Sequence, residues 1–443
     1  DALAHMGLRI DLDNLDRPLA EVEGTSGYYA SSLRACFDNQ DDEEVLTSRD
    51  LVFVKECIWG TPIREIELAT GLQGFIGRPS EKEWLYDIVC NRHSGLDVDK
   101  VDYFARDQRR CLGHGQVDEV IVEEPVVAWA DSTERPGRQL MVCYPEKMVK
   151  AIIHFFNKRY ELHSTIYFHK TTVAAAHMVN DILCRADPYF FRLSTDSFGG
   201  GQCACKSKPK TFLPPSRAMS NGSAYIRLRD SVIEEIANST SPQLQDARTL
   251  AERYLSRDLY KCVFEISIDQ RNASDLTLWQ MPEDEIKAEM LEFWEGRQGG
   301  SNTLAMNDVI VDKFSIHHGR KRQNPIENIR VVPSSQLSQL KRELSELPVA
   351  KPVDVSKYQA QTSLRQEQPF IRVYCRDSSK CSQLEAAFRM WTADIYRQNI
   401  DVNTTPFLNR LEEKDIGSAS SSEFGNDMAQ SAIISQLDTP GTA

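Results

Sequence analysis

The sequence predicts a mainly α-helical chain with a smaller α+β lobe toward its C-terminal end. The first observation behind this is helical periodicity: apolar residues recur every three or four positions through 95–113, from Pro145 onward, and through Val173 to Ala186, Ser231 to Ala237 and Gln245 to Leu259. The second is that three β-branched or aromatic runs, Tyr260 to Ile268, Asp308 to Ile316 and Phe370 to Tyr374, alternate with helical patterns at Glu283 to Gly296 and Cys381 to Ile395. The third is size: 443 residues, 41% of them hydrophobic, are enough for a sizeable core and for two or three domains.

The first fifty residues mix loop signals with short apolar runs. Acidic residues ending at Glu44 suit the start of a helix that leads into Leu51 to Ile58. Gly95 to Gly113 has no internal Gly or Pro, so its glycines bound a helix of about four turns. At 100° per residue, Asp99, Tyr103, Arg106 and Asp107 share an arc of about 100°, Lys100 sits at its edge, and Val101, Phe104, Ala105 and Leu112 take the other side. The polar arc reads either as a solvated face supported by an Asp102 to Arg106 pair or as a group able to meet a cation, a phosphate and a sugar hydroxyl. Composition alone leaves the two open.

Val120 to Val127 reads as strand-like and acidic. Arg159, His163, Tyr167 and Lys170 follow at i, i+4, i+8 and i+11, a stripe about 80° wide on a continuous helix. This fits an exposed polar side with His163 as a packing residue, or a site. Tyr189 to Arg217 is rich in Gly, Ser, Lys and Pro and is expected to be a long exposed loop, with Lys206, Lys208 and Lys210 solvated. Cys203 and Cys205 lack a second Cys or His pair nearby, which argues against zinc. The run Arg320, Lys321 and Arg322 suits either a phosphate contact or a solvated loop. The tail from Glu412 is too polar to pack and is expected to be disordered.

A net charge of −13 disfavours a large nonspecific nucleic-acid surface. Eleven irregularly spaced cysteines suggest a reducing, intracellular setting rather than a disulfide framework. No run of eighteen apolar residues suggests a membrane span, and the first residues lack the pattern of a signal peptide.

The run Asp97-Val98-Asp99-Lys100-Val101-Asp102-Tyr103-Phe104-Ala105-Arg106-Asp107 closely resembles the signature helix of the SAM-and-HD-domain deoxynucleoside triphosphate triphosphohydrolases. The similarity extends over most of 50–395, through Phe53 to Glu56, Tyr167 to Lys170, Ser239 to Arg248, Asn324 to Ile326 and Ile371 to Cys375. It implies an HD-type helical domain over 1–260, incomplete at its N-terminus and with a loop insertion at 190–217. An α+β regulatory and oligomerisation lobe over 261–400 and a disordered tail over 401–443 complete the expected organisation.

The implied activity is metal-dependent hydrolysis of dNTPs, dGTP included, to deoxynucleoside and inorganic triphosphate, as part of dNTP catabolism. Carried over by position, Asp99 is a ligand of a divalent metal (Mg, Mn, Fe or Zn), while Lys100 and Arg159 offset phosphate charge. Tyr103 and Asp107 hold the 3′-hydroxyl, Tyr167 packs on the deoxyribose, and His163 lies near the base. His169, Lys170 and Asn324 match residues near a regulatory GTP or dNTP site in a dimer or tetramer. The acidic 117–138 segment departs from a basic family segment and puts GTP-type activation in doubt.

The family also uses an upstream His, a His-Asp pair and a catalytic His, yet none of the nine histidines here is followed by Asp. The expectation is therefore a fragment with no identifiable catalytic residue of its own, residing in nucleus or cytoplasm. The alternative is an inactive nucleotide-binding scaffold. A single-stranded nucleic-acid binder is a third, unsupported class, and no membrane partner is expected.

Overall fold

The computed structural model describes residues 11–17, 46–113, 120–132, 137–194, 211–298, 304–340, 347–362 and 366–398. Cys203, Cys205, the three lysines at 206, 208 and 210, and the tail from 399 onward lie outside these residues. The architecture is mainly α with a smaller α+β lobe.

Helix α1, Ser48–Trp59, starts at a Thr47–Asp50 capping box and ends at Gly60 in the left-handed region. Its inner face carries Glu56, fully buried, which accepts hydrogen bonds from Ile76 N (2.8 Å), Gly77 N (2.9 Å) and the Tyr86 hydroxyl. Three donors on one carboxylate pin α1 to the loop before Tyr86–Val89, so a charge is buried without an orphan. Helix α2, Arg64–Thr70, closes a small core of Leu15, Val52, Ile66 and Ile76.

Helix α3, Val98–Asp107, is the signature segment. The predicted four-turn helix is shorter as an α-helix: a π-turn over Gln108–Leu112 completes it, and Gly113 stops it at φ 72°. The predicted strand at 120–127 is also corrected, because Val120–Glu123 is a helical turn and β1 begins only at Val126. Ile121 is drawn into the core, and the turn closes from Glu124 N to Val120 O before Pro125.

Strand β1, Val126–Asp131, pairs antiparallel with β2, Arg138–Pro145, which feeds helix α4, Val149–Leu162. The helix does not run on to Lys170. A π-turn at His163–Tyr167 ends it, and α5, Lys170–Ala186, starts afresh with His169 as N-cap. The 190–217 segment is not all loop, since β3, Arg192–Ser194, pairs antiparallel with β4, Thr211–Leu213. Helices α6, Val232–Ala237, and α7, Gln245–Leu255, pack on α5.

Strands β5, Lys261–Ser267, β6, Val309–His317, and β9, Glu367–Cys375, form an antiparallel sheet in the order β5-β9-β6. Its period-2 alternation serves two cores. Ile371, Val373, Val309 and Val311 face helices α8, Ala273–Gln280, α9, Glu283–Gln298, and α10, Cys381–Gln398, whereas Tyr374 and Ile310 face α5 and α7. Between β6 and β9 the chain returns to the helical body. Strand β7, Arg330–Val332, pairs with β2 and with β8, Lys351–Pro352, and Ile326, Ile329, Val331 and Val353 join the core beneath α3 and α4.

Candidate functional site

Asp97 shapes the start of α3. Its carboxylate accepts from Lys100 N (3.1 Å) and Asn91 N (3.3 Å) and receives the Lys100 ammonium at 2.7 Å. Lys100 is thus turned back along its own first turn. Asp99, beside it, is exposed.

One turn on, Phe104 anchors the helix: it is fully buried against Phe155, ring centroids 4.6 Å apart. That anchoring aims Tyr103 and Asp107 at the end of α4. The Tyr167 hydroxyl donates to Asp107 Oδ2 at 2.6 Å, and Arg106 Nε donates to the other oxygen at 3.0 Å. These bonds, with Tyr167 first, hold the Asp107 carboxyl below the usual range, and burial followed by the same bond pushes the Tyr167 phenol up. A charge-assisted link thereby joins two elements sixty residues apart.

The π-turn brings His163 and Tyr167 together, their rings 4.9 Å apart and edge-on. Tyr103 stands 6.1 Å from Tyr167. Burial, then the charge of Arg159 and the neighbouring His317, drives the His163 pKa down to about 4, so it is neutral at pH 7. Arg159 is itself half-buried, with Tyr103 as a hydrogen-bonding neighbour, and its Nη1 donates to the main-chain oxygen of His317. Tyr103, Asp107, Arg159, His163 and Tyr167 are therefore one connected group built from α3, α4 and the π-turn.

The other predicted residues stand apart from it. His169 caps α5, its Nδ1 accepting from Thr171 N at 3.3 Å, and Lys170 is exposed at the first position of that helix. Lys170 does not share the stripe of Arg159, because the π-turn and the two residues after it re-aim the backbone. Asn324 caps the turn Pro325–Asn328 through a bond from Ile326 N (3.1 Å). The loop ahead of His169 is fixed from the sheet: Arg372, laid over the Phe314 ring at 4.5 Å and paired with Glu265, donates to Phe168 O.

Sequence reasoning missed the loop after β6. His317 O and Nδ1 both meet Arg159, and His318 stacks on Tyr160 at 4.7 Å. The only signal was a His-His-Gly at the end of a predicted strand, and nothing in its spacing pointed across 158 residues. The basic run beside it is engaged: Arg320 donates to the main-chain oxygens of Arg92 and His93, and Arg322 meets Gln270 and Glu367.

The described residues do not by themselves supply a donor set for a divalent cation. Among the described residues no group of three or more His, Cys, Asp and Glu side chains converges, and Asp99 alone falls short of the coordination such ions need. A cavity of about 250 Å³ lies on the apolar side of α3, lined among others by Val98, Val101, Ile121, Val142 and Tyr144. None of the predicted site residues lines it.

No protein-family profile matches the chain. It is similar to deoxynucleoside triphosphate triphosphohydrolase SAMHD1 of Danio rerio, at 28% identity over 78% of this chain and 50% of that protein. The Gallus gallus protein of that name is 30% identical over 68% of this chain and 46% of its own. An HD domain-containing protein of Acanthamoeba polyphaga mimivirus is 27% identical over 42% of this chain and 38% of its own. The chain spans about half the length of the SAMHD1 relatives it matches. In sequence, over about two thirds to four fifths of its length, the chain is thus similar to the SAM-and-HD-domain deoxynucleoside triphosphate triphosphohydrolases.

Proposed function

We propose that the group on α3, α4 and the π-turn recognises a deoxynucleoside triphosphate, dGTP included, as the substrate-holding part of a dNTP triphosphohydrolase that serves dNTP catabolism. The observation that carries this reading is the 2.6 Å bond from Tyr167 to Asp107, which sets an aromatic ring beside a carboxylate that keeps free acceptor positions. In this reading Asp107 accepts the 3′-hydroxyl and Tyr103 lines the same subsite. The Tyr167 ring fills the space a 2′-hydroxyl would need, and neutral His163 packs near the base. Arg159, held by the loop after β6, meets the triphosphate, and Lys100 joins it only by leaving Asp97.

Hydrolysis at the α-phosphorus would release triphosphate whole. The described residues account for recognition and not for making the nucleophile, so no step is drawn through a metal, and Asp99 is proposed only as one member of a ligand set. His169, Lys170 and Asn324 are proposed as contacts for a regulatory nucleotide in a dimer or tetramer of this chain. No helix among the described residues is long and apolar enough to cross a membrane.

Titration calorimetry with dGTP and GTP tests the reading. The parent should prefer dGTP, and Tyr167→Ala should bring the two affinities together. An unchanged preference in the folded variant would overturn the sugar assignment. A second reading is a nucleotide-binding scaffold without turnover, in keeping with Asp99 belonging to no cluster of three or more His, Cys, Asp and Glu side chains among the described residues. It predicts dGTP binding with no release of inorganic triphosphate.

A further inference from the structure

The Arg159 guanidinium sits at the end of a long side chain, and a group of that kind loses considerable rotamer entropy when a ligand immobilises it. The structure holds it before any ligand arrives. Its Nη1 donates to His317 O at the end of β6, and the carbonyl that receives it belongs to a loop secured at several points. The His317 imidazole Nδ1 accepts from Gly319 N (3.0 Å) and from Lys321 N (3.4 Å), closing the turn on itself, and lies 3.5 Å from Arg159 Nη1 as well. Two main-chain donors on Nδ1 require its lone pair there, which leaves the proton of the neutral ring on Nε2. Burial and the charge of Arg159 favour that neutral ring.

Three further features hold the same loop. His318 stacks nearly parallel on Tyr160, the neighbour of Arg159, and His318 N donates to Gln366 O. Arg320 reaches across to the carbonyls of Arg92 and His93, in the segment that leads into α3. Gly319 adopts φ 126°, a conformation that L side chains rarely reach, and passes beside Phe156 and Arg159. A β-turn would need none of these ties merely to reverse the chain.

We propose that His317 is a positioning residue: its Nδ1 folds the loop so that the His317 carbonyl presets the Arg159 guanidinium for an anionic phosphate chain. The proposal rests on the reading of Arg159 as a triphosphate contact, and it adds the residue on which that contact depends. Preorganisation of this kind raises affinity by lowering the ordering cost and not by adding a contact to the ligand. His317 itself need not touch the nucleotide.

The test uses the whole chain as parent, His317→Ala, His317→Asn and Arg159→Ala, with melting curves to show that each is folded. Asn is the informative substitution, because its side-chain oxygen can accept from the main-chain N–H two residues on, as the imidazole does. Titration calorimetry with dGTP and dGDP should show that His317→Ala weakens dGTP binding about tenfold, the equivalent of one charge-assisted hydrogen bond. It should also lower the preference for dGTP over dGDP, whereas His317→Asn should keep both close to the parent. A merely structural role would lower melting temperature without changing that preference.

A ligand-free measurement separates the two ideas. Nitrogen-15 NMR of the Arg159 guanidinium should show hindered rotation in the parent and in His317→Asn, and free rotation in His317→Ala. Equal rotation in parent and His317→Ala would overturn the positioning proposal whatever the nucleotide data say. Loss of dGTP binding in Arg159→Ala with parent-like binding in His317→Ala would overturn it as well. A parent that shows hindered rotation lost in His317→Ala, yet no affinity for dGTP, would support the positioning of Arg159 and overturn the nucleotide reading instead.

Discussion

Replacing Tyr167 by Phe removes one hydroxyl and leaves the ring. In the folded chain that hydroxyl donates to Asp107 Oδ2 at 2.6 Å, and Arg106 Nε remains on the other carboxylate oxygen at 3.0 Å. Hydrogen bonds to charged partners contribute about 1.5–3 kcal/mol, and the Asp107 side chain retains some solvent access, so a loss of about 1 kcal/mol is expected. The sign with pH follows from the direction of the shift. The Asp107 carboxyl is held below its unfolded value, so its contribution is present above about pH 4 and disappears as the pH falls through the folded pKa. Tyr167→Phe should therefore be less stable than the parent at pH 7, and the difference should shrink progressively as the pH falls below about 4. Urea titrations over a pH series measure this. The variant should also keep the preference for dGTP over GTP, because ring bulk and not the hydroxyl is assigned the exclusion of the 2′-hydroxyl. Equal stability at pH 7 would refute the charge-assisted bond, and a lost preference would refute the assignment to bulk.

Asp107→Ala should weaken dGTP binding more than it lowers stability, and calorimetry beside a melting curve decides between the two effects. Glu56→Gln places an amide donor against a buried site that offers three donors, so a loss of about 2–3 kcal/mol is expected by urea titration. His163 has its pKa depressed to about 4, so the folded state resists protonation. Its stabilising effect is complete above the unfolded value of 6.5 and is lost as the pH falls toward 4. His163→Gln should flatten part of that slope in a series of urea midpoints, with His177, His317 and His318, whose pKa values are also lowered, among the groups that keep the rest.

Much of the candidate group was legible because its determinants are local. Helix α3 followed from its glycine borders and from the spacing of Val101, Phe104 and Ala105, and that spacing placed Asp99, Tyr103 and Asp107 on one side. The resemblance then supplied roles that spacing left open. Two local readings failed. Val120–Glu123 is helical despite three β-branched residues, because burying Ile121 outweighs a propensity difference of a few tenths of a kcal/mol per residue. The Arg159 to Lys170 stripe assumed an unbroken helix, and one π-turn at His163–Tyr167 was enough to remove Lys170 from it.

By itself the sequence determined the helix and strand periods, the polar face of α3 and the strands of the β5-β9-β6 sheet, since each depends on residues within a turn or two of one another. Only the tertiary structure decided which polar groups meet. It joined Asp107 to Tyr167 across sixty residues and set Arg159 against His317 across 158. Those pairings follow from how Phe104 packs on Phe155 and how the strand before His317 pairs with β9, and a hydrogen bond between distant residues leaves no periodic mark in the chain that makes it.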